Sequence, residues 1–350
     1  MSSGETRTLS RRELNRALLA RQLLLERART PLPKALERVG GIQAQYAPSM
    51  YVGLWTRLEG FKRESLTRAL ERRSVVQGTL MRVTIHLVSA RDWWPLTAAI
   101  RDPRRELWLR ARKNEPSAKK LSAAARRLRP RLAEGPMSRA EIDELLNKPG
   151  AVMINGLGLW LDLVRVPPSG TWERRRADVY AAAEHWIGAA EVEHADALDL
   201  LVRRYLGGFG PASRADIADW ASVPAKTLDP ALERLKLRRF HAEDGAELLD
   251  LPRAPLPDPE TPAPVRLLPV WDATLLVHAR RTGILPEQHR SKVFNAKTPQ
   301  SVNTFIVDGE VAGTWRFDKD RVRLEPFGRL GKAARRELEA EADRLAEFAR

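Results

Sequence analysis

Apolar residues recur at three- and four-residue spacing through most of the first 240 positions, the signature of helices with one buried face. The spacing predicts helices near residues 10–28, 32–39, 48–58 and 64–73. They are followed by "VVQGTLMRVTIHLVSA", two short β-rich runs able to pair as a ladder. Within "RVTIHLV" the period changes to two. Val83, Ile85 and Leu87 fall on one face and Arg82, Thr84 and His86 on the other, as in a half-buried strand.

The same grammar of helices followed by a hairpin recurs twice. "AAARRLRPRLAEG", "MSRAEIDELLN" with a Ser138/Glu141 capping box, and "GLGLWLDLV" lead into "RVPPSGTWERRR", whose Pro-Pro-Ser-Gly is turn chemistry between two extended runs. In the third block a helix is expected to stop at Gly207-Gly208, Ser213 caps "RADIADWA", and Pro224 opens "AKTLDPALERL". "RRFHAEDGAELLDL" then alternates about a Glu-Asp-Gly turn. Three repeats of helix, helix, helix, hairpin point to tandem winged helix-turn-helix motifs. The expected class is mainly α with small β-hairpins, an α+β protein ending in a C-terminal β-rich subdomain. Five segments follow: blocks at 1–118, 119–190 and 191–250, an extended, surface-exposed proline-rich linker at 251–264, and a subdomain at 265–350. In the last, "VRLLPVWDATLLVH" and "NTFIVDGEVAGTWRF" read as strands, Asp308-Gly309 as a two-residue hairpin turn, and "AARRELEAEADRLAEFA" as a closing helix.

Charge sharpens this picture. Sixty Lys and Arg against 45 Asp and Glu leave a formal +15, which points to an anionic partner, nucleic acid first, although an arginine-rich surface habit yields the same excess. The basic run from Arg101 to Arg131 reads equally as a solvated helix face or as a contact to a DNA backbone. The chain has no cysteine, so disulfides, thiolate catalysis and Cys-based metal sites are excluded. Its histidines lack metal-ligand spacing, and "GGFG" follows a helix where a nucleotide-binding loop would follow a strand. Neither a cofactor nor a metal is expected. The N-terminal stretch lacks a signal-peptide pattern, and no apolar run reaches the roughly 18 residues of a membrane span. A cytoplasmic protein without a membrane partner is the expectation.

One short stretch offers chemistry. In "GIQAQYAPS" two glutamines flank one alanine, just after Gly40-Gly41 stops a helix. In helical backbone Gln43 and Gln45 would lie on opposite sides; in extended backbone they share a face. Ala47 precedes a proline and is biased away from helix, so the pair is read as facing one way from a non-helical turn. Glutamines after a helix end also commonly bond spare carbonyls or face solvent.

With "LSRRELNRALLARQLLL", "RVGGIQAQYAPS", "TLMRVTIHLVSARD", "LLPVWDATLL" and "FIVDGEVAGTWRF" in that order, the chain resembles the bacterial winged-helix DNA glycosylases of the AlkZ type, from about residue 9 to the C-terminus. That family carries a Gln-hydrophobic-Gln signature, matched by Gln43-Ala44-Gln45; its Gln-hydrophobic-Asp relatives match less well, since position 45 is glutamine. The resemblance implies a DNA glycosylase that removes N7-alkylated purines, or unhooks interstrand crosslinks, from double-stranded DNA. An N7-alkylated base already carries a positive charge and leaves as a neutral molecule. Two amides that position a water against an oxocarbenium-like sugar then suffice.

Arg82, Thr84 and His86 are candidate contacts to phosphate or lesion, although a solvated strand face and a packed His86 fit as well. Arg280 and Arg281, with His278, are candidates for a phosphate clamp, and Trp315-Arg316 for a minor-groove probe, although a tryptophan closing a small β-core fits Trp315 too. The other tryptophans mostly read as core. No lysine is placed by motif for a Schiff base, so a monofunctional enzyme is expected, and three fused modules suit a monomer cradling one duplex. The rivals are a non-catalytic winged-helix regulator and a binder relying on charge alone.

Overall fold

The computed structural model describes residues 7–276, 283–294 and 301–350. Strand β1 (Thr8–Leu9) and helices α1 (Arg11–Arg21) and α2 (Leu32–Val39) open the first block. They are followed by β2 (Ile42–Gln43), α3 (Ala47–Trp55), α4 (Arg63–Glu71), β3 (Val75–Thr79), β4 (Ile85–Ser89) and α5 (Ala90–Ala111). The second block holds α6 (Ala118–Glu134), β5 (Met137–Ser138), α7 (Arg139–Leu145), α8 (Gly150–Trp160), β6 (Leu163–Arg165), β7 (Val179–Ala182) and α9 (Ala183–Trp186). The third has α10 (His194–Phe209), α11 (Arg214–Ala221), α12 (Asp229–Arg234), β8 (Arg238–Ala242) and β9 (Glu247–Asp250). Then come β10 (Arg266–Leu268), α13 (Arg290–Val293), β11 (Thr304–Val307), β12 (Glu310–Asp318), β13 (Arg321–Pro326) and α14 (Lys332–Ala349). The mixed α+β class agrees with the expectation.

Local sequence sets the helix ends. Ser10 and Glu13 cap α1 reciprocally, as Ser138 and Glu141 cap α7 and Ser213 and Asp216 cap α11. Helix α1 is shorter than its periodicity suggested, because Leu23 adopts a left-handed conformation just beyond Arg21. The expected stop at Gly207-Gly208 is overturned: α10 runs through both glycines to Phe209. Gly208 is needed for close packing, since a Cβ there would lie 2.8 Å from the Val39 carbonyl oxygen of α2, whereas one on Gly207 would meet nothing nearer than Leu251 at 3.8 Å.

A six-stranded sheet of order β2-β4-β3-β6-β7-β5 draws strands from the first two blocks, β3 and β6 joining them antiparallel with Gln77 opposite Arg165. The third block's hairpin pairs with β1 in a three-stranded sheet, and the C-terminal strands form a four-stranded sheet in chain order. There Asp308 and Gly309, both at positive φ, make the expected two-residue turn between β11 and β12. The Trp271-Asp272 segment is not strand: Trp271 is left-handed, and Asp272 caps a short 3-10 turn and pairs with buried Arg57 through two 2.9 Å bonds.

The proline-rich stretch 251–264 holds neither helix nor strand, bends at turns closed by Ala254 N–H on the Leu251 carbonyl and Thr261 N–H on the Asp258 carbonyl, and is tied to α1, where Arg12, Arg16 and Arg21 donate to the carbonyls of Pro259, Thr261 and Pro255. Among the described residues no helix is long and apolar enough to cross a membrane.

Candidate active site

The stretch that carries both glutamines leaves α2 through Gly40 and Gly41, each at positive φ, and enters β2. At Gly41 a side chain would meet Val88 Cγ1 at 2.9 Å, so the chain can lie this close to β4 only without one. Ala44 is fully buried and held at both ends: its N–H donates to the Ile85 carbonyl at 2.7 Å, and its own carbonyl accepts from Gln77 Nε2 at 2.9 Å. With Ala44 turned inward, extended backbone turns its two neighbours the other way. Gln43 and Gln45 do converge, the Gln43 Nε2 donating to Gln45 Oε1. Gln43 is buried and Gln45 exposed, so the second amide presents the pair to solvent.

Arg82 completes the arrangement. Its Nη2 donates to Gln43 Oε1 at 2.8 Å. A guanidinium has only donors, so the Gln43 atom facing it must be the oxygen, and this forces the Gln43 amide nitrogen toward Gln45. Burial pushes Arg82 down to about 10, still protonated at neutral pH.

These groups adjoin a cavity of about 500 Å³ walled by Gln45, Arg82, Thr84, Trp108, Asn155, Arg165 and Tyr180 among others. Asp and Glu are absent from its wall.

The expectation for the 82–88 strand is corrected in part. Strand β4 begins only at Ile85; Arg82 and Val83 sit in a left-handed turn, so the polar face is not a continuous strand face. Thr84 lines the cavity. His86 does not reach it: opposite Gln43 on a strand flanked by β2 and β3, it is 3% exposed, with Nδ1 3.1 Å from the Thr84 carbonyl. Burial, then the Arg82 charge, push it down to about 3, so His86 is neutral and packed.

Trp315 is also corrected. It is buried among the core residues of the C-terminal sheet, and its indole N–H donates to the Leu268 carbonyl at 3.0 Å, so it cannot probe a groove. Arg316, next along β12, is exposed and faces Glu325. His278, Arg280 and Arg281 lie outside the described residues. In the run from Arg101 to Arg131, Arg104 is buried against Asp162 and Thr79, whereas Arg129 and Arg131 form exposed pairs with Glu184 and Glu134.

Sequence reasoning missed Gln77, which fastens the glutamine turn, and Arg165, which lines the cavity over the Tyr180 ring. Gln77 follows two valines within β3 and Arg165 ends β6 between Val164 and Val166, and a polar residue set among apolar neighbours was the available signal. Also missed was exposed Tyr46, whose hydroxyl accepts from Arg175 in the β6–β7 loop.

The family model "DNA glycosylase AlkZ-like" matches residues 36–348, nearly the whole chain. The chain belongs to the AlkZ-like DNA glycosylase family. Membership brings DNA as the partner and glycosylase chemistry in DNA repair as the class of activity. The fold is similar to that of Streptomyces sahachiroi DNA glycosylase AlkZ, with a TM-score of 0.82 over 98% of this chain and 97% of that one, at 20% identity. No curated protein matches the chain significantly in sequence.

Proposed function

We propose that this AlkZ-like glycosylase excises N7-alkylated purines from double-stranded DNA as a monofunctional enzyme acting as a monomer, with Gln43 and Gln45 as its catalytic residues. The observation that carries the reading is the directed chain from Arg82 through Gln43 to Gln45 at the mouth of a cationic cavity. With the Gln43 oxygen taken by Arg82 and its nitrogen by Gln45, the exposed Gln45 keeps its amide hydrogens and one oxygen lone pair for a water molecule. That water, held by its hydrogen and its own lone pair, is placed to attack C1′ as the C1′–N9 bond breaks and the base leaves as a neutral molecule, and the surplus proton of the new hydroxyl passes to solvent. A neutral amide cannot deprotonate it, which restricts the enzyme to bases that alkylation has already activated.

The absence of lysine from the cavity wall favours water over an amine as nucleophile. Thr84 and Arg82 in the wall, and exposed Arg316, remain candidates for DNA contact; crosslink unhooking would use the same water.

The test is release of an abasic site from DNA carrying one N7-methylguanine, with Gln43→Ala and Gln45→Ala alongside. Wild type should act and both variants should fail. If all three are inert while the protein binds a specific operator, it is a non-catalytic regulator.

A further inference from the structure

We propose that Arg82 and Arg165 form a receptor for one backbone phosphodiester of the DNA, inside the cavity beside Gln45. The inference rests on the glycosylase reading and adds the group that occupies the cavity.

Elsewhere the fold gives most of its buried arginines a carboxylate partner; Arg266, which bonds the Val265 and Leu25 carbonyls, is an exception among the described residues. Arg16 meets Asp308, Arg21 Asp250, Arg57 Asp272 and Arg104 Asp162. Arg82 and Arg165 make no ion pair with a carboxylate among the described residues. Arg82 spends one nitrogen on Gln43, and its Nη1 is buried with no hydrogen-bond partner. Arg165 projects from β6 with its guanidinium 5.6 Å from the Tyr180 ring centroid. Burial pushes it below its ordinary range, as it does Arg82. A guanidinium withdrawn from water without a counter-charge is costly to keep, and an anion entering the cavity offsets that cost.

The turn that carries Arg82 adds to the argument. Arg82 and Val83 both hold positive φ, 53° and 55°. A β-branched residue rarely adopts this conformation, and such outliers gather where side chains must be aimed.

Charge selects the occupant. The wall carries Arg82, Arg112 and Arg165 and no carboxylate, so a cationic alkylated purine is repelled and an anion attracted. Phosphodiester oxygens suit the guanidinium fork, and the volume of about 500 Å³ admits the group. A phosphate seated there holds the adjoining deoxyribose beside Gln45 while the charged base stays outside.

The test is a phosphate scan. Duplexes with one N7-methylguanine carry a neutral methylphosphonate at each flanking phosphate in turn, and both binding and single-turnover excision are read for wild type, Arg165→Met and Arg165→Lys, with melting temperatures as a folding control. Wild type should lose about ten-fold or more at one position. Arg165→Met should lose a similar factor on unmodified backbone and nothing further at that position, and Arg165→Lys should fall between. Losses that add independently at every position, or a wild type indifferent to all neutral linkages, would overturn the proposal. Coupling in binding with no excision by any form would sustain the phosphate receptor and refute the catalytic reading.

Discussion

Arg82 donates from Nη2 to the Gln43 side-chain oxygen at 2.8 Å, and this one bond decides which way the Gln43 amide is turned. Reverse that amide and its nitrogen would face a cation while its oxygen faced the oxygen of Gln45. The arginine therefore acts on the reaction through Gln43.

Removing the guanidinium by Arg82→Met should lower single-turnover excision about ten-fold or more, with Arg82→Lys intermediate because an ammonium also donates. A steeper loss in the rate at saturating DNA than in DNA affinity would separate orientation of Gln43 from simple loss of positive charge.

For the glutamines themselves, Gln45→Ala should cost on the order of 100-fold in excision rate and leave the melting temperature close to wild type, because its side chain is exposed. Gln43→Ala should be as slow and also somewhat less stable, since it leaves half-buried Arg82 without its acceptor. Equal rates for Gln45→Ala and wild type would remove the water-positioning role.

His86 gives the protein an acid sensitivity unrelated to catalysis. Unfolded, it takes a proton near its ordinary value of 6.5; folded, it refuses one until about pH 3. Between those limits the unfolded state binds more protons, so stability rises with pH and is lost as pH falls from 6.5 toward 3. The slope approaches about 1.4 kcal/mol per pH unit. His86→Gln should flatten the melting temperature over that window, and the excision rate should show no histidine inflection between pH 5 and 8.

Packing beneath the site leaves no room at Gly78, where a Cβ would lie 2.2 Å from the Trp93 ring. Gly78→Ala should cost about 1–3 kcal/mol by overpacking, read as an earlier denaturation midpoint. Asp272→Asn, which leaves buried Arg57 without its counter-charge, should cost about 3–5 kcal/mol.

The sequence made local features legible wherever a short-range rule governs them. The caps at Ser138 and Ser213, the Gly40 stop, the Asp308-Gly309 turn and the shared face of Gln43 and Gln45 all depend on a few adjacent residues. What lay hidden was decided by distant partners. His86 alternates like an outward residue, but β2 and β3 flank its strand; Trp315 reads as a groove probe or as core, and the bond of its N–H to Leu268 decides for core; the Gly207-Gly208 stop gave way to a helix in which Gly208 packs on α2. Arg165 gains meaning only when β6 is laid against β3, a pairing between residues far apart in the chain that no periodicity encodes.

That β3–β6 seam also limits how the chain can be shortened. Excising the second block would strip β3 of its outer neighbour and bare a row of backbone donors and acceptors along the strand that holds Gln77. Such an edge invites another chain to add itself, so a truncated protein should self-associate at the very place where the glutamine turn is anchored.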